Sequence, residues 1–119
     1  MNLIMGSDCL FCRIINKEIP ADIVYEDDDM LVFKDIDPQA DVHLLAVPKK
    51  HIPTLNDVSS EDDRMLGAII RKLGDLARQA GIAEGGYRLV VNCNRNAGQE
   101  VFHLHYHLLG GRKFSWPPG

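Results

Sequence analysis

Residues 103–109 read His-Leu-His-Tyr-His-Leu-Leu, so three of the chain's five histidines fall within five consecutive positions. Polar and apolar residues that alternate singly describe an extended strand, because residues i, i+2 and i+4 then share a face. His103, His105 and His107 are thus expected on one face, with Leu104, Tyr106 and Leu108 on the other. Burial against helices accounts for the apolar face. The histidine face needs partners for its ring nitrogens, since an unpaired buried imidazole costs free energy. Chance neighbours could satisfy each ring separately, but the clustering favours a ligand-binding or catalytic face.

The rest of the chain supplies elements to build around that strand. Residues 8–17 predict a short helix with Asp8 as N-cap and Leu10, Phe11, Ile14 and Ile15 facing inward. Apolar runs at 23–25 and 30–33 flank an acidic stretch, Glu26-Asp27-Asp28-Asp29, which reads as the solvated turn of an antiparallel hairpin. A third strand is expected over 43–47, stopped by Pro48. Serines and acids at 59–63 look like a helix start, followed at helical spacing by Leu66, Ile69, Ile70, Leu73, Leu76, Ala77 and Ala80, with Gly81 as the stop. A strand at 87–92 and a polar loop lead into the histidines, and the tail KFSWPPG should be extended and outside the sheet. Helix, three strands, long helix and two strands joined by short loops describe an α+β domain with one sheet. No repeat, low-complexity segment or linker divides the 119 residues, so residues 1–119 are expected to be one domain, with 1–7 a flexible tail and 112–119 an extended one.

Charge narrows the partners. The net charge is −4, which argues against a nucleic-acid binder, because such affinity comes mainly from neutralising many phosphates with Lys and Arg. A single nucleotide remains compatible. No apolar run approaches the ~20 residues of a membrane span. The N-terminal MNLIMGSD lacks the basic and apolar regions of a signal peptide, so a cytoplasmic location is expected. Three cysteines, an odd number, do not make a disulfide framework. Cys93, standing alone, reads as a small buried apolar residue.

Two chemistries suit three imidazoles on one face. They could chelate a catalytic zinc with an open fourth position. Alternatively, one could attack phosphorus while its neighbours orient it and carry protons. The second needs donors for the phosphoryl oxygens, and the preceding loop, NCNRNAGQE at 92–100, offers Asn side chains, Gln99 and the close backbone approach allowed by Gly98. Cys9 and Cys12 stand as C-x-x-C, a zinc half-site needing two more ligands such as His51 and a strand histidine. A redox pair or two reduced structural cysteines are equally open on spacing alone.

The stretch 103–109 resembles the signature of the histidine triad (HIT) proteins, in which His alternates with hydrophobic residues. FCRIINKEIPADIVYEDD, FKDIDPQADVHLLAVPKKHI, GYRLVVN, GQEVFHLHYHLLGGR and the closing WPPG are all similar to the branch of purine nucleoside phosphoramidate hydrolases within that family. The likeness covers nearly all of residues 8–119.

That resemblance implies an α+β fold with a five-stranded antiparallel sheet and two helices, dimerising into a continuous sheet. It implies hydrolysis of purine nucleoside 5′-phosphoramidates, and of related acyl-adenylates, through a nucleotidyl-histidine. His105 matches the nucleophile, His107 the residue beside it at the phosphate, and His43 a supporting histidine. Asn92, Gly98, Gln99 and Glu100 match the phosphate-binding loop, and Asp35 the acid that holds the ribose hydroxyls. Phe11, Ile14, Ile19, Phe33 and Ile36 match the slot around the base, and Trp116 completes the nucleotide-binding set. Cys9, Cys12, His51 and His103 match the ligands of a structural zinc, with no metal needed for the chemical step. Ala97 stands where many relatives carry Gly, and Glu100 replaces a serine that some place near the leaving group. Two other readings remain at this level: a catalytic three-histidine zinc hydrolase, and a nucleotide-binding regulatory module with vestigial activity.

Overall fold

The computed structural model describes residues 8–119; the flexible tail expected over 1–7 lies outside them. In chain order the elements are α1 (Leu10–Ile15), β1 (Ile23–Glu26), β2 (Met30–Lys34), β3 (Val42–Pro48), α2 (Asp63–Gln79), β4 (Tyr87–Val90) and β5 (Tyr106–Gly110). All five strands pair antiparallel in the order β1-β2-β3-β5-β4. The expected α+β architecture, five antiparallel strands with two helices, is the one observed.

Alternation along the central strands sends side chains to two different cores. Met30, Val32, Leu44, Ala46, Leu104, Tyr106 and Leu108 pack beneath α2 with Ile69, Leu73 and Leu76. Leu31, Phe33, Leu45 and Val47 face the opposite way, against Phe11, Cys12 and Ile14 of α1. The sheet is covered on both sides, which is why β2 and β3 read as continuous apolar runs.

The serines and acids open a 3-10 turn, Ser60–Asp62, whose capping box joins Ser59 and Asp62 and which runs directly into α2. α2 itself has Asp62 and not a serine at its N-cap, without a side-chain cap bond, and Lys50 Nζ donates to Asp62 Oδ1 at 2.7 Å. Gly81 follows its end with φ +78, a backbone conformation that side chains disfavour. The buried stripe differs from the expected one: Met65 belongs to it, whereas Ile70 and Ala80 are exposed.

α1 corrects the sequence reading more sharply. Its N-cap is Cys9, whose Sγ accepts from the Cys12 N–H at 3.3 Å, and not Asp8. The helix spans six residues, and Leu10 is exposed. The acidic turn is better partnered than a solvated run. Asp27 Oδ1 accepts the N–H groups of Asp29 and Met30, and Arg64 forks onto both oxygens of Asp29. β4 ends at Val90 instead of 92, and Cys93 is half-buried instead of sealed in a core.

The strand inferred for the histidines is shorter than its pattern. β5 starts only at Tyr106, where it pairs with Ala46, and His103 to His105 run unpaired before it. Side-chain alternation continues nonetheless, with Leu104 and Tyr106 in the α2 core. The tail beyond Gly111 is irregular, as expected. Two guanidiniums stand over the Phe114 ring, Arg88 at 5.0 Å and Arg112 at 4.3 Å from its centre.

Candidate active site

The α1 face of the sheet ends in a cleft of about 500 Å³ whose lining includes Phe11, Phe33, Asp35, His105 and His107. The three histidines that the alternation placed together do not converge on one point. Each ring is held by a different partner, a carbonyl acceptor for His103 and for His105 and a donor for His107, and those partners determine which nitrogen carries its proton.

His103 is completely buried. Its Nε2 lies 2.8 Å from the Pro48 carbonyl, which can only accept, so Nε2 carries the proton and Nδ1 presents a lone pair. That lone pair meets Cys9 Sγ at 3.3 Å, Cys12 Sγ at 3.6 Å and His51 Nδ1 at 3.2 Å, and Cys12 Sγ is 3.2 Å from His51 Nδ1. Ligands of a tetrahedral zinc, at about 2.05 Å for nitrogen and 2.3 Å for sulfur, stand about 3.3 Å apart for N···N and about 3.6 Å for N···S. The observed separations match to within about 0.4 Å of those spacings. His51 Nε2 is the sole fully enclosed side-chain nitrogen or oxygen without a partner among the described residues. Its ring therefore forgoes a bond at Nε2 in order to aim Nδ1 into the cluster. Burial also lowers the His51 pKa and takes that of His103 down to about 4, keeping both rings neutral as ligands require. Cys9, Cys12, His51 and His103 can hold a metal ion.

His105 is turned by the backbone. Its Nδ1 donates to the carbonyl of His103 at 2.8 Å, so Nε2 carries the lone pair. Phe11 meets the His105 ring edge to face at 5.1 Å and limits its rotation. Nε2 has no protein partner and is not enclosed, so it opens to the cleft.

His43 and His107 form a directed relay. The Gln39 N–H donates to His43 Nδ1 at 3.0 Å, leaving the proton of the neutral ring on Nε2. That Nε2–H reaches His107 Nδ1 at 2.9 Å, so His107 in turn carries its own proton on Nε2, at the cleft. Asp35 Oδ2 stands farther off, 3.4 Å from His43 Nε2. Burial lowers the His43 pKa against the pull of Asp35 and Asp37, so the contact joins a neutral N–H to a carboxylate and is not an ion pair. His107 is pushed down to about 4, first by burial and then by the neighbouring His105 and His43. Asp35, His43 and His107 lie close enough to chelate a cation. The Gln39 amide opposes this, because a metal on His43 Nε2 would leave Nδ1 needing a proton where a donor already points at it.

The cleft thus has one imidazole presenting a lone pair beside one presenting an N–H. This arrangement suits attack on an electrophilic atom carrying anionic oxygens. A three-histidine zinc site is not formed, since His103 faces the cysteines and His105 faces a carbonyl.

Of the other residues singled out, Ile14, Ile19, Asn92, Gly98 and Glu100 line the cleft. Ile36 sits fully exposed at its lip. Asp35 accepts the Asp37 N–H at Oδ1 and keeps further lone pairs for a ligand. Gln99 is placed differently from a phosphate donor: its buried amide accepts from Asn94 N–H and donates to the Pro53 and Val101 carbonyls. It braces the loop from behind. Trp116, 81% exposed, lies outside the cleft of its own chain. Gln39 was missed by sequence reasoning, since a backbone N–H leaves no mark in a side-chain pattern.

Known proteins match this arrangement along almost the whole chain. The family described as "Scavenger mRNA decapping enzyme C-term binding" matches residues 8–115. The purine nucleoside phosphoramidase of Escherichia coli K12 is 54% identical over 108 residues, 91% of either chain. An uncharacterized HIT-like protein of Synechocystis is 52% identical over 115 residues, 97% of this chain and all of that one. Among solved structures, the HIT family hydrolase of Legionella pneumophila superposes with a TM-score of 0.92 at 55% identity, covering 93% of this chain and 99% of that one. The HIT family hydrolase of Clostridium thermocellum gives 0.88 at 46% identity, covering 92% and 95%.

Proposed function

The chain belongs to the histidine triad family, and on that premise we propose that it hydrolyses purine nucleoside 5′-phosphoramidates, and related acyl-adenylates, to the nucleoside monophosphate. The observation that carries the reading is the His105 ring, with Nδ1 on the His103 carbonyl and Nε2 open to the cleft. His105 Nε2 attacks the α-phosphorus, the phosphorus–nitrogen bond breaks, and the amine departs. Water then displaces histidine from phosphorus and releases the monophosphate. His107 Nε2–H donates to a non-bridging oxygen as charge grows there, supported through Nδ1 by His43. Asn92 and the backbone N–H of Glu100 supply further donors from the cleft lining, and Gly98, whose own N–H is taken by the Arg95 carbonyl at 3.0 Å, allows the loop a close backbone approach.

Phe11, Ile14, Ile19, Phe33 and Ile36 enclose the base, and Asp35 accepts the ribose hydroxyls. An apolar slot grips either purine without reading its edge finely, so discrimination between adenine and guanine is modest. Zinc held by Cys9, Cys12, His51 and His103 ties α1 to the segment that carries His105 into β5, a structural duty that leaves the chemical step metal-free. The protein acts in the cytoplasm as a homodimer, consistent with β4 forming an unpaired sheet edge, and Trp116 contributes to nucleotide binding in that assembly.

The test mixes adenosine 5′-phosphoramidate with the wild type and with His105→Ala, following adenosine monophosphate by chromatography. Release by the wild type alone is expected. Equal release by both would overturn the assignment of the nucleophile. Nucleotide binding without release by either would leave a binding module.

A further inference from the structure

Gln39, the residue whose N–H fixes the proton on His43, is itself held from outside the site. Its carbonyl accepts the Arg112 Nε–H at 3.0 Å, while its N–H, from the same residue, donates to His43 Nδ1. Arg112 is placed to hold this bond. Its guanidinium stands over the Phe114 ring, as does that of Arg88, and Arg88 in turn donates to the Ser115 carbonyl. The chain just before it is pressed onto the same loop: Gly111 has φ +95, and a Cβ there would lie 2.6 Å from Asp41 Cβ. Two independent contacts therefore bolt residues 35–41 to the chain leaving β5.

We propose that Arg112 is a positioning residue for the relay. By holding the Gln39 carbonyl it keeps the Gln39 N–H aimed at His43, which keeps the proton of His43 on Nε2 and that of His107 on Nε2 at the cleft. Arg112 itself touches neither substrate nor the reacting histidines. Freed of it, the backbone can turn about the Gln39 Cα, which links the peptide group carrying the carbonyl to the preceding one carrying the N–H. His43 can then take the Nδ1–H form, and His107 loses the donor that its Nδ1 accepts from. The donor at the phosphoryl oxygen would be present only part of the time. This inference rests on the proposed reaction for its kinetic consequence and not for its structural one.

The primary test is the histidine tautomers, read from long-range proton–nitrogen NMR of the full chain labelled with nitrogen-15. Wild type should show His43 and His107 both as Nε2–H. Arg112→Ala should populate the Nδ1–H form of His43, with kcat roughly five- to tenfold lower and KM changed less than about twofold. A folded Arg112→Ala with unchanged His43 and His107 tautomers overturns the proposal, whatever its rate. If that variant fails to fold, Phe114→Leu, which removes the surface under the guanidinium, is read by the same criterion. Wild type that releases no monophosphate would refute the reaction, while the tautomer comparison would still decide the role of Arg112.

Discussion

Lowering the pH should reveal the relay through stability. His107 has a folded pKa of about 4, set mainly by burial, against an unfolded value near 6.5. Between those values the unfolded chain takes up a proton that the folded site refuses. The contribution of His107 is complete above about pH 6.5 and drains away as the pH falls toward 4. Two-state linkage with these values sets the loss between pH 7.5 and 4.5 at no more than about 2.5 kcal/mol, which solvent screening at this half-buried ring brings to about 2 kcal/mol. Other groups titrate in the same range, so the assay is a difference. Urea unfolding of the wild type and of His107→Gln, equally metal-loaded, would be followed across that pH range. The Gln amide oxygen can still accept from His43 while carrying no titratable proton. The wild type should lose about 2 kcal/mol more than the variant on acidification. Parallel profiles would mean that His107 charges freely in the folded protein. His107 would then not stand as a neutral donor at the cleft.

Two further outcomes follow from packing and from the cysteine cluster. Gly110→Ala would place a Cβ 2.4 Å from Ile82 Cδ1 and 3.0 Å from Ile82 Cβ, so a loss of about 1–3 kcal/mol, read as a lower thermal midpoint, is expected. Stripping metal with a chelator should lower the thermal midpoint and restore it on adding zinc, by about 4 kcal/mol when the metal is at a thousandfold excess over its Kd, while His105-dependent turnover persists at temperatures where the metal-free protein stays folded.

The alternation at 103–109 was a sound guide to which faces the side chains take, and a poor guide to backbone pairing. Pairing of β5 with β3 stops at Ala46 and Tyr106. Beyond it Pro48 has no N–H to give, and its carbonyl goes to the His103 ring instead of to a strand. Leu104 N–H turns to the Ile52 carbonyl. Period-two patterning records burial on two sides, and burial survives where the ladder does not. Cys9 was legible as a candidate metal ligand but not as a helix cap, because a thiol is a weak acceptor and Asp8 is the stronger candidate by type. Gln99 looked like a phosphate donor by its position in the loop. Only the fold shows that the Pro53 carbonyl lies behind it. The Gln39 and Arg112 link was invisible because it runs through a main-chain amide and carbonyl, and a sequence carries no marker for either.

His103 serves two centres with two different parts of one residue: its ring faces the cysteines, and its carbonyl holds the His105 ring. The carbonyl belongs to every amino acid, so no point substitution at 103 can delete the acceptor that gives His105 its open lone pair. The instruction for the proposed nucleophile is written in the main chain and survives any side-chain change at 103, whereas the cysteine cluster depends wholly on its side chains. Substitutions could therefore dismantle that cluster one residue at a time without removing the acceptor, provided the path of the chain through residue 103 is kept.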